Sequence, residues 1–176
     1  MPVIHVLAGP LHSGKTTLLT ASCRAWRAAG LRFDGFLSPT VRSGDHVEGY
    51  DLVDLGTESR VPYLRREGEA DWERTGSFYF LPDALAQARA IIRRVPEAEV
   101  LIVDEFGPLE LRGGGLRPAL NDVLGRPGHK ALLVVREDIL EDLVRQLGEA
   151  SIAGIYPVFL PYAGELMTRG LFGEAR

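Results

Sequence analysis

The chain has 176 residues, of which 45% are hydrophobic and 25% are charged, a composition that is typical of a soluble globular domain. Its net charge of −4 gives no electrostatic reason to expect nucleic acid or an anionic membrane surface as a partner, and no apolar run is long enough to cross a bilayer. Because Cys23 is the only cysteine, an internal disulfide and a cysteine-based metal cluster are excluded. No signal peptide is visible, so we expect a single cytoplasmic domain, 1–176.

The first predicted unit is a strand, a glycine-containing loop and a helix. Residues 3–8 are apolar and rich in β-branched side chains, which predicts a strand, and residues 17–29 are typical of a helix. Between them, residues 9–16 read Gly-Pro-Leu-His-Ser-Gly-Lys-Thr, the pattern G-x-x-x-x-G-K-[ST] of a phosphate-binding loop. The strand before it and the helix after it are the structural context that this pattern requires.

The residue types of this loop suit a triphosphate. Gly9 and Gly14 allow the backbone to curl so that consecutive N–H groups point inward, and the following helix adds the positive end of its dipole. Lys15 should reach the β- and γ-phosphates, and the Thr16 hydroxyl should bind Mg²⁺. We therefore predict a nucleotide-binding site made of consecutive residues, namely Gly9, Pro10, Leu11, His12, Ser13, Gly14, Lys15, Thr16 and Thr17.

An all-β stretch follows the first helix. Residues 33–41 and 47–55 predict the two strands of a hairpin around the turn Ser43-Gly44-Asp45. Residues 60–65 and 77–80 predict further strands. We therefore expect a β-hairpin region inserted between the first helix and the rest of the fold.

The second half of the chain alternates helices and strands. Pro82 opens a predicted helix that Pro96 ends, and the continuous apolar runs at 100–103 and 131–135 are typical of strands that are buried on both faces. Residues 118–124 and 138–147 predict helices, residues 155–160 predict a last strand in which Pro157 is unfavourable, and no element is predicted after Leu160.

Two acidic residues end the strand predicted at 100–103. In open α/β sheets ligands bind at the carboxyl ends of the strands, so Asp104 would hold Mg²⁺ through water. Glu105 would lie beside the γ-phosphate and polarise an attacking water as a general base. A nucleoside-triphosphate hydrolase needs such an acid, whereas a kinase need not keep one, although some kinases use an acid to accept a hydroxyl proton.

Two arginines are candidates for contact with the triphosphate. Arg136 directly follows the strand at 131–135 and should emerge at the same edge as Asp104, and Arg42 lies in a hairpin that can fold over the site. Either could stabilise the charge that develops in the transition state, and the alternative for each is a solvated surface arginine. We predict Lys15, Glu105 and Arg136 as catalytic residues, and Thr16 and Asp104 as metal-binding residues.

Several stretches together resemble the THEP1-like nucleoside-triphosphatases, a family of small P-loop enzymes. Residues 9–17 match the phosphate loop, residues 33–36, 40–42 and 49–52 are similar to the family's hairpin signature, and residues 104–111 are similar to its acidic motif. The resemblance implies a RecA-like, mostly parallel sheet flanked by helices. It also implies Mg²⁺-dependent hydrolysis of nucleoside triphosphates to diphosphates with a loose choice of base.

We therefore predict an α/β P-loop NTPase that hydrolyses ATP, GTP or another nucleoside triphosphate to diphosphate and phosphate with Mg²⁺, and that acts on neither nucleic acid nor a membrane. One alternative is a small-molecule or nucleotide kinase with the same loop. The other is a nucleotide-dependent switch or accessory protein with slow hydrolysis. The oligomeric state stays open at this point.

Overall fold

The computed structural model describes residues 2–96 and 99–173, and their strands belong to a single sheet. The strands are β1 (Val3–Gly9), β2 (Phe33–Leu37), β3 (Thr40–Ser43), β4 (His46–Asp54), β5 (Arg60–Arg65), β6 (Arg74–Thr75), β7 (Phe78–Phe80), β8 (Val100–Phe106), β9 (Lys130–Arg136) and β10 (Ile152–Pro157). The helices are α1 (Lys15–Ala28), α2 (Pro82–Arg94), α3 (Pro108–Leu111), α4 (Arg117–Leu124), α5 (Leu140–Leu147) and α6 (Ala163–Phe172).

The sheet has a parallel core and an antiparallel extension. The core follows the order β10-β1-β9-β8-β2, and each neighbouring pair in it is parallel. Beyond β2 the order continues β4-β5-β7-β6 with antiparallel pairing, and β3 forms a hairpin with β4. This arrangement confirms the predicted α/β fold with a mostly parallel core, flanking helices and an inserted β-hairpin region.

Helices cover the two faces of the parallel core. The helices α2, α4 and α5 pack with one hydrophobic cluster, which takes Val6, Leu101 and Leu133 from the central strands. The helices α1 and α6 pack with a second cluster, which takes alternate residues such as Leu7 and Ile102. The strands are therefore buried on both faces, which is why β8 and β9 read as continuous apolar runs. None of the helices within the described residues has the length and apolar character needed to span a membrane.

A glycine allows β2 to approach β8. Gly35 adopts φ +135°, and a Cβ atom built on it would lie 2.0 Å from the carbonyl oxygen of Ile102. Both the left-handed backbone and the lack of space exclude a side chain here. Gly35 in the stretch 33–36 therefore has a packing role.

Several predicted boundaries were wrong, mostly near prolines. Residues 33–41 form two strands, because the Ser38-Pro39 step separates β2 from β3. The last strand begins at Ile152 rather than at residue 155 and ends at Pro157, where a missing N–H is tolerated because β10 is an edge strand. The helix predicted at 138–147 begins as a 3-10 turn, Glu137–Ile139, before α5.

Candidate active site

A cavity of about 570 Å³ opens at the carboxyl ends of the parallel strands. Its walls are the loop between β1 and α1, the first turns of α1, the β2–β3 connection and the ends of β8 and β9. The predicted site residues that line it are Leu11, His12, Ser13, Gly14, Lys15, Thr16, Thr17, Asp104, Glu105 and Arg136. Gly9 and Pro10 lie beside them and accept hydrogen bonds from Lys15. The structure thus brings together all the residues that the sequence predicted for the site.

The loop between β1 and α1 has the curled backbone expected of a phosphate-binding loop. His12 (φ 58°) and Gly14 (φ 88°) adopt left-handed conformations, and successive changes of hand make the backbone N–H groups converge. The Ser13 hydroxyl donates to the Pro10 carbonyl oxygen at 2.7 Å and fixes the curl. Because Gly14 is the residue before α1, the loop also receives the positive end of that helix.

The Lys15 ammonium lies at the mouth of this loop. Its Nζ donates to the carbonyl oxygens of Gly9 at 3.0 Å and Pro10 at 2.5 Å. Burial lowers the pKa of Lys15, while the nearby carboxylates of Asp104 and Glu105 raise it. The ammonium is therefore a partly desolvated cation held by carbonyl oxygens of the loop, and it is available for charge-assisted hydrogen bonds to a phosphate group.

Asp104 is held in place by two donors. Its side chain is buried, and its Oδ1 accepts from the Thr16 hydroxyl at 3.2 Å while its Oδ2 accepts from the Ser38 backbone N–H at 2.9 Å. Burial raises the pKa of Asp104 to about 6, and these two hydrogen bonds act in the opposite direction.

The same place offers oxygen atoms for a hard cation. The Thr16 hydroxyl and the Asp104 carboxylate are adjacent, and the buried Ser38 hydroxyl has no hydrogen-bond partner among the described residues. No group of three His, Cys, Asp or Glu side chains in residues 2–96 and 99–173 could hold a metal ion. These residues fit Mg²⁺, which is usually bound by one or two carboxylates together with waters and substrate phosphates.

A β-bulge directs both acidic residues into one cavity. In a regular strand the neighbours Asp104 and Glu105 would point to opposite faces of the sheet. The pairing of β8 with β9 runs in register up to Val103 and resumes at Phe106 after a shift, which leaves one extra residue in β8. Glu105 in this bulge has φ +131°, an unfavourable backbone conformation for a residue with a side chain. As a result, Asp104 and Glu105 line the same cavity.

The surroundings of Glu105 make its carboxyl group unusually basic. Burial raises the pKa of Glu105 to about 8, and repulsion from Glu110 and Asp104 adds to the effect, while Arg136 and Lys15 oppose it. Glu110 is itself buried, and its carboxylate accepts from the backbone N–H groups of Gly107 at 2.9 Å and Leu116 at 3.1 Å. The acidic motif thus supplies a basic carboxyl group together with a second acid that holds the following loop in place.

The two candidate arginines both reach the cavity but differ in their contacts. Arg136 pairs with Asp138 through two hydrogen bonds of 3.0 and 2.6 Å. Arg42, which lies in β3 and also lines the cavity, takes part in no ion pair within the described part of the chain. Their assignment as catalytic or solvated arginines stays a prediction.

Sequence reasoning missed several residues of the site. Ser38 and Tyr50 line the cavity, and Glu110 holds the loop after β8. The position of Ser38 at the carboxyl end of a core strand was an available signal, whereas Tyr50 reaches the site only through the antiparallel extension. His5, by contrast, is a buried core residue of β1, with its Nδ1 2.9 Å from the Tyr156 hydroxyl.

Comparisons with known proteins identify the family of the chain. The family model described as NTPase matches residues 5–161. The nucleoside-triphosphatase THEP1 of Methanopyrus kandleri is 33% identical over 157 residues, which cover 82% of this chain and 86% of the relative. The corresponding protein of Hyperthermus butylicus is 32% identical over 142 residues, covering 79% of this chain and 74% of the relative.

Two solved structures share the fold. The solution structure of a human cancer-related nucleoside triphosphatase superposes with a TM-score of 0.74 at 22% identity and covers all of both chains. The crystal structure of THEP1 from Aquifex aeolicus superposes with a TM-score of 0.66 at 18% identity and covers 98% of this chain and 99% of that one. The family match and the close relatives together show that the chain belongs to the THEP1-like nucleoside-triphosphatase family.

Proposed function

We propose that this protein hydrolyses nucleoside triphosphates to nucleoside diphosphates and phosphate, with Mg²⁺, in the cavity described above. The observation that carries this proposal is the bulge in β8, which directs Glu105 and Asp104 into the same cavity as Lys15. Relatives named nucleoside-triphosphatases support the same reaction. We also propose that residues 1–176 act as one domain, because all the described strands belong to one sheet. A cytoplasmic location stays a prediction from the sequence.

Each group of residues in the cavity has its own role in the proposed reaction. Lys15 and the loop N–H groups bind the β- and γ-phosphates, and Thr16 and Asp104 hold the metal ion. When bound there, Mg²⁺ would neutralise charge on the phosphate oxygens. The ionised Glu105 carboxylate takes a proton from water as the water oxygen bonds to the γ-phosphorus. The bond between this phosphorus and the bridging oxygen breaks, and the diphosphate leaves with the electron pair. Arg136, which lines the cavity, supplies positive charge that stabilises the charge developing in the transition state.

Broad use of bases follows from the composition of the cavity. The residues that line it are suited to phosphate and metal, and we identify no side chain in it that would read one base. We therefore expect the rates with ATP, GTP, CTP and UTP to agree within about two orders of magnitude, or roughly 3 kcal/mol of discrimination.

One observation keeps the kinase alternative open. The lining of the cavity also includes Thr20 and Arg24 of α1, together with Pro39 of the β2–β3 connection and Thr40 of β3. A phosphoryl acceptor could bind beside these residues. A kinase would release phosphate slowly on its own, and would consume nucleotide much faster once its acceptor is added.

Phosphate release from the four common triphosphates tests the proposal. We expect multiple turnovers with each of them in Mg²⁺, loss of activity in excess chelator and recovery when Mg²⁺ is restored. Full activity in chelator would exclude the metal-dependent mechanism. Strict use of one base would exclude a site that recognises only phosphates.

A further inference from the structure

The segment between β10 and α6 runs beside the phosphate-binding loop. The Val158 N–H donates to the carbonyl oxygen of Ala8 at 2.7 Å, and a Cβ atom built on Gly9 would lie 2.5 Å from Cγ1 of Val158. Directly after the segment, a Cβ atom built on Gly164 of α6 would lie 3.4 Å from Leu18 of α1. Residues 158–162 therefore begin beside the first residue of the phosphate-binding loop and lead into a helix whose first turn lies against α1.

This segment carries two exposed aromatic side chains. Phe159 is 66% exposed and Tyr162 is 74% exposed, whereas the aromatic rings of Trp26, Phe36 and Tyr63 are almost fully buried. Both belong to one short segment that also carries Leu160, which is 40% exposed, and contiguous exposed apolar groups mark binding sites more often than isolated ones do. We call Phe159 and Tyr162 the aromatic shelf.

The backbone at the shelf is also unusual. Tyr162 adopts φ 60° and ψ 27°, a left-handed conformation that a bulky residue rarely takes. Such conformations cost free energy and are concentrated at ligand sites. This one ends the segment immediately before α6, which packs on α1.

The order of the strands indicates which end of a nucleotide would reach the shelf. Asp104 and Glu105 stand at the end of β8 and mark the position of the γ-phosphate and the metal ion. In the sheet, β9 and β8 lie on one side of β1, and β10 lies on the other. A triphosphate bound in the loop with its γ end toward Glu105 therefore directs its nucleoside end toward the segment that follows β10.

We propose that the aromatic shelf stacks on the base of the bound nucleotide and supplies most of the affinity for the nucleoside. This inference rests on the proposed function, because it takes a nucleoside triphosphate as the ligand of the loop. Every base has a π-face, so stacking on aromatic rings binds all bases with little preference. The shelf thus gives a physical reason why an enzyme of this kind can bind a base without selecting one.

The test compares substrates with and without a base. We would measure phosphate release from Mg–ATP, Mg–GTP and Mg–tripolyphosphate by the wild type and by the variants Phe159→Ala and Tyr162→Ala. We expect KM for ATP and GTP to rise roughly 5- to 100-fold, which corresponds to about 1–3 kcal/mol, while KM for tripolyphosphate stays within twofold. Phe159→Tyr and Tyr162→Phe should keep near wild-type values. The control Ile155→Ala, which truncates another exposed apolar residue (41%), should change none of them.

Equilibrium binding tests the proposed role of the aromatic shelf even if the wild type does not hydrolyse triphosphates. Calorimetry with Mg–ADP and Mg–pyrophosphate should show weaker ADP binding in the two alanine variants and unchanged pyrophosphate binding. If the wild type releases no phosphate, the proposed function fails, and this comparison still decides the shelf. Equal losses for ADP and pyrophosphate, or no loss for either, would overturn the proposal. A change in molar mass by light scattering with unchanged ADP affinity would instead assign the shelf to contact between copies of the chain.

Discussion

We expect the free energy of unfolding to rise when Glu105 is replaced by the neutral residue glutamine. The pKa of Glu105 is raised from 4.5 to about 8 by burial and by the neighbouring acids Glu110 and Asp104. An acid whose folded-state pKa lies above its unfolded value stabilises the folded state only while it is protonated. That contribution is complete below pH 4.5 and is lost as the pH rises toward 8. Glu105→Gln removes this loss because glutamine stays neutral.

The size of the effect follows from the shift in pKa. One pKa unit corresponds to 1.36 kcal/mol, so at pH 7 the shift corresponds to roughly 3 kcal/mol. Glu105 keeps some contact with solvent, so we expect about 2 kcal/mol. In a protein of this length that free energy corresponds to an increase of about 4–8 °C in Tm. The strained φ of +131° is the same in both proteins and does not contribute.

Thermal and denaturant unfolding in chelator, at pH values from 4.5 to 8, would measure this difference. We expect the two proteins to be equally stable at pH 4.5 and the Glu105→Gln variant to be increasingly more stable toward pH 8. The control Glu141→Gln, at an exposed position on α5, should stay within about 0.5 kcal/mol of the wild type. A variant that is less stable at pH 7, or a difference that does not depend on pH, would refute the electrostatic reasoning.

Three further predictions concern the loop and the core. Lys15→Ala should abolish turnover and raise the Kd of a triphosphate at least tenfold, because the main cation facing the β- and γ-phosphates is lost; unchanged affinity by calorimetry would show that the loop is not the site. Gly35→Ala should lower the free energy of unfolding by about 3–5 kcal/mol, because its Cβ would meet the Ile102 carbonyl. The control Gly44→Ala, at an open turn, should lower it by only about 1 kcal/mol. Similar losses at both positions in urea unfolding would contradict this explanation. Burial lowers the pKa of His5 to about 4, so the wild type should lose about 3 kcal/mol relative to His5→Asn as the pH falls from 6.5 to 4, and parallel pH profiles of the two proteins would exclude this effect.

The phosphate-binding loop was predictable because its determinants are local. The glycines, Lys15 and Thr16 stand at fixed spacing, and the flanking strand and helix have clear periodicity. The same is true of the buried strand that ends in Asp104. These features depend on residues that are neighbours in the sequence, so one sequence was enough to identify them.

The orientation of Glu105 was not predictable in the same way. Strand periodicity places it on the face opposite to Asp104, and only the bulge against β9 brings both carboxyl groups into the cavity. The contact between Ser38 and Asp104 likewise joins positions 66 residues apart. Both features depend on pairing between residues that are far apart in the sequence, and the periodicity of a short stretch carries no information about such pairing.

Helix α6 was missed because its propensity is low. Gly164 and Gly170 lie within it, and glycine disfavours a helix interior. The structure shows why Gly170 is present, since a Cβ atom there would lie 1.9 Å from the Tyr156 hydroxyl oxygen. The helix is stabilised by tertiary packing of Met167 and Leu171 rather than by its local sequence.

The central claim is that Glu105 acts as the base in triphosphate hydrolysis. The most direct test measures phosphate release at saturating Mg²⁺–ATP, together with equilibrium binding of ATP, for the wild type and Glu105→Gln. We predict that kcat falls by about 10²–10⁴, while the Kd stays within about threefold because Lys15, Thr16 and Asp104 are unchanged. A loss confined to kcat is the pattern of a group that acts in the transition state. A Glu105→Gln variant that keeps most of its turnover would contradict the assignment of Glu105 as the base.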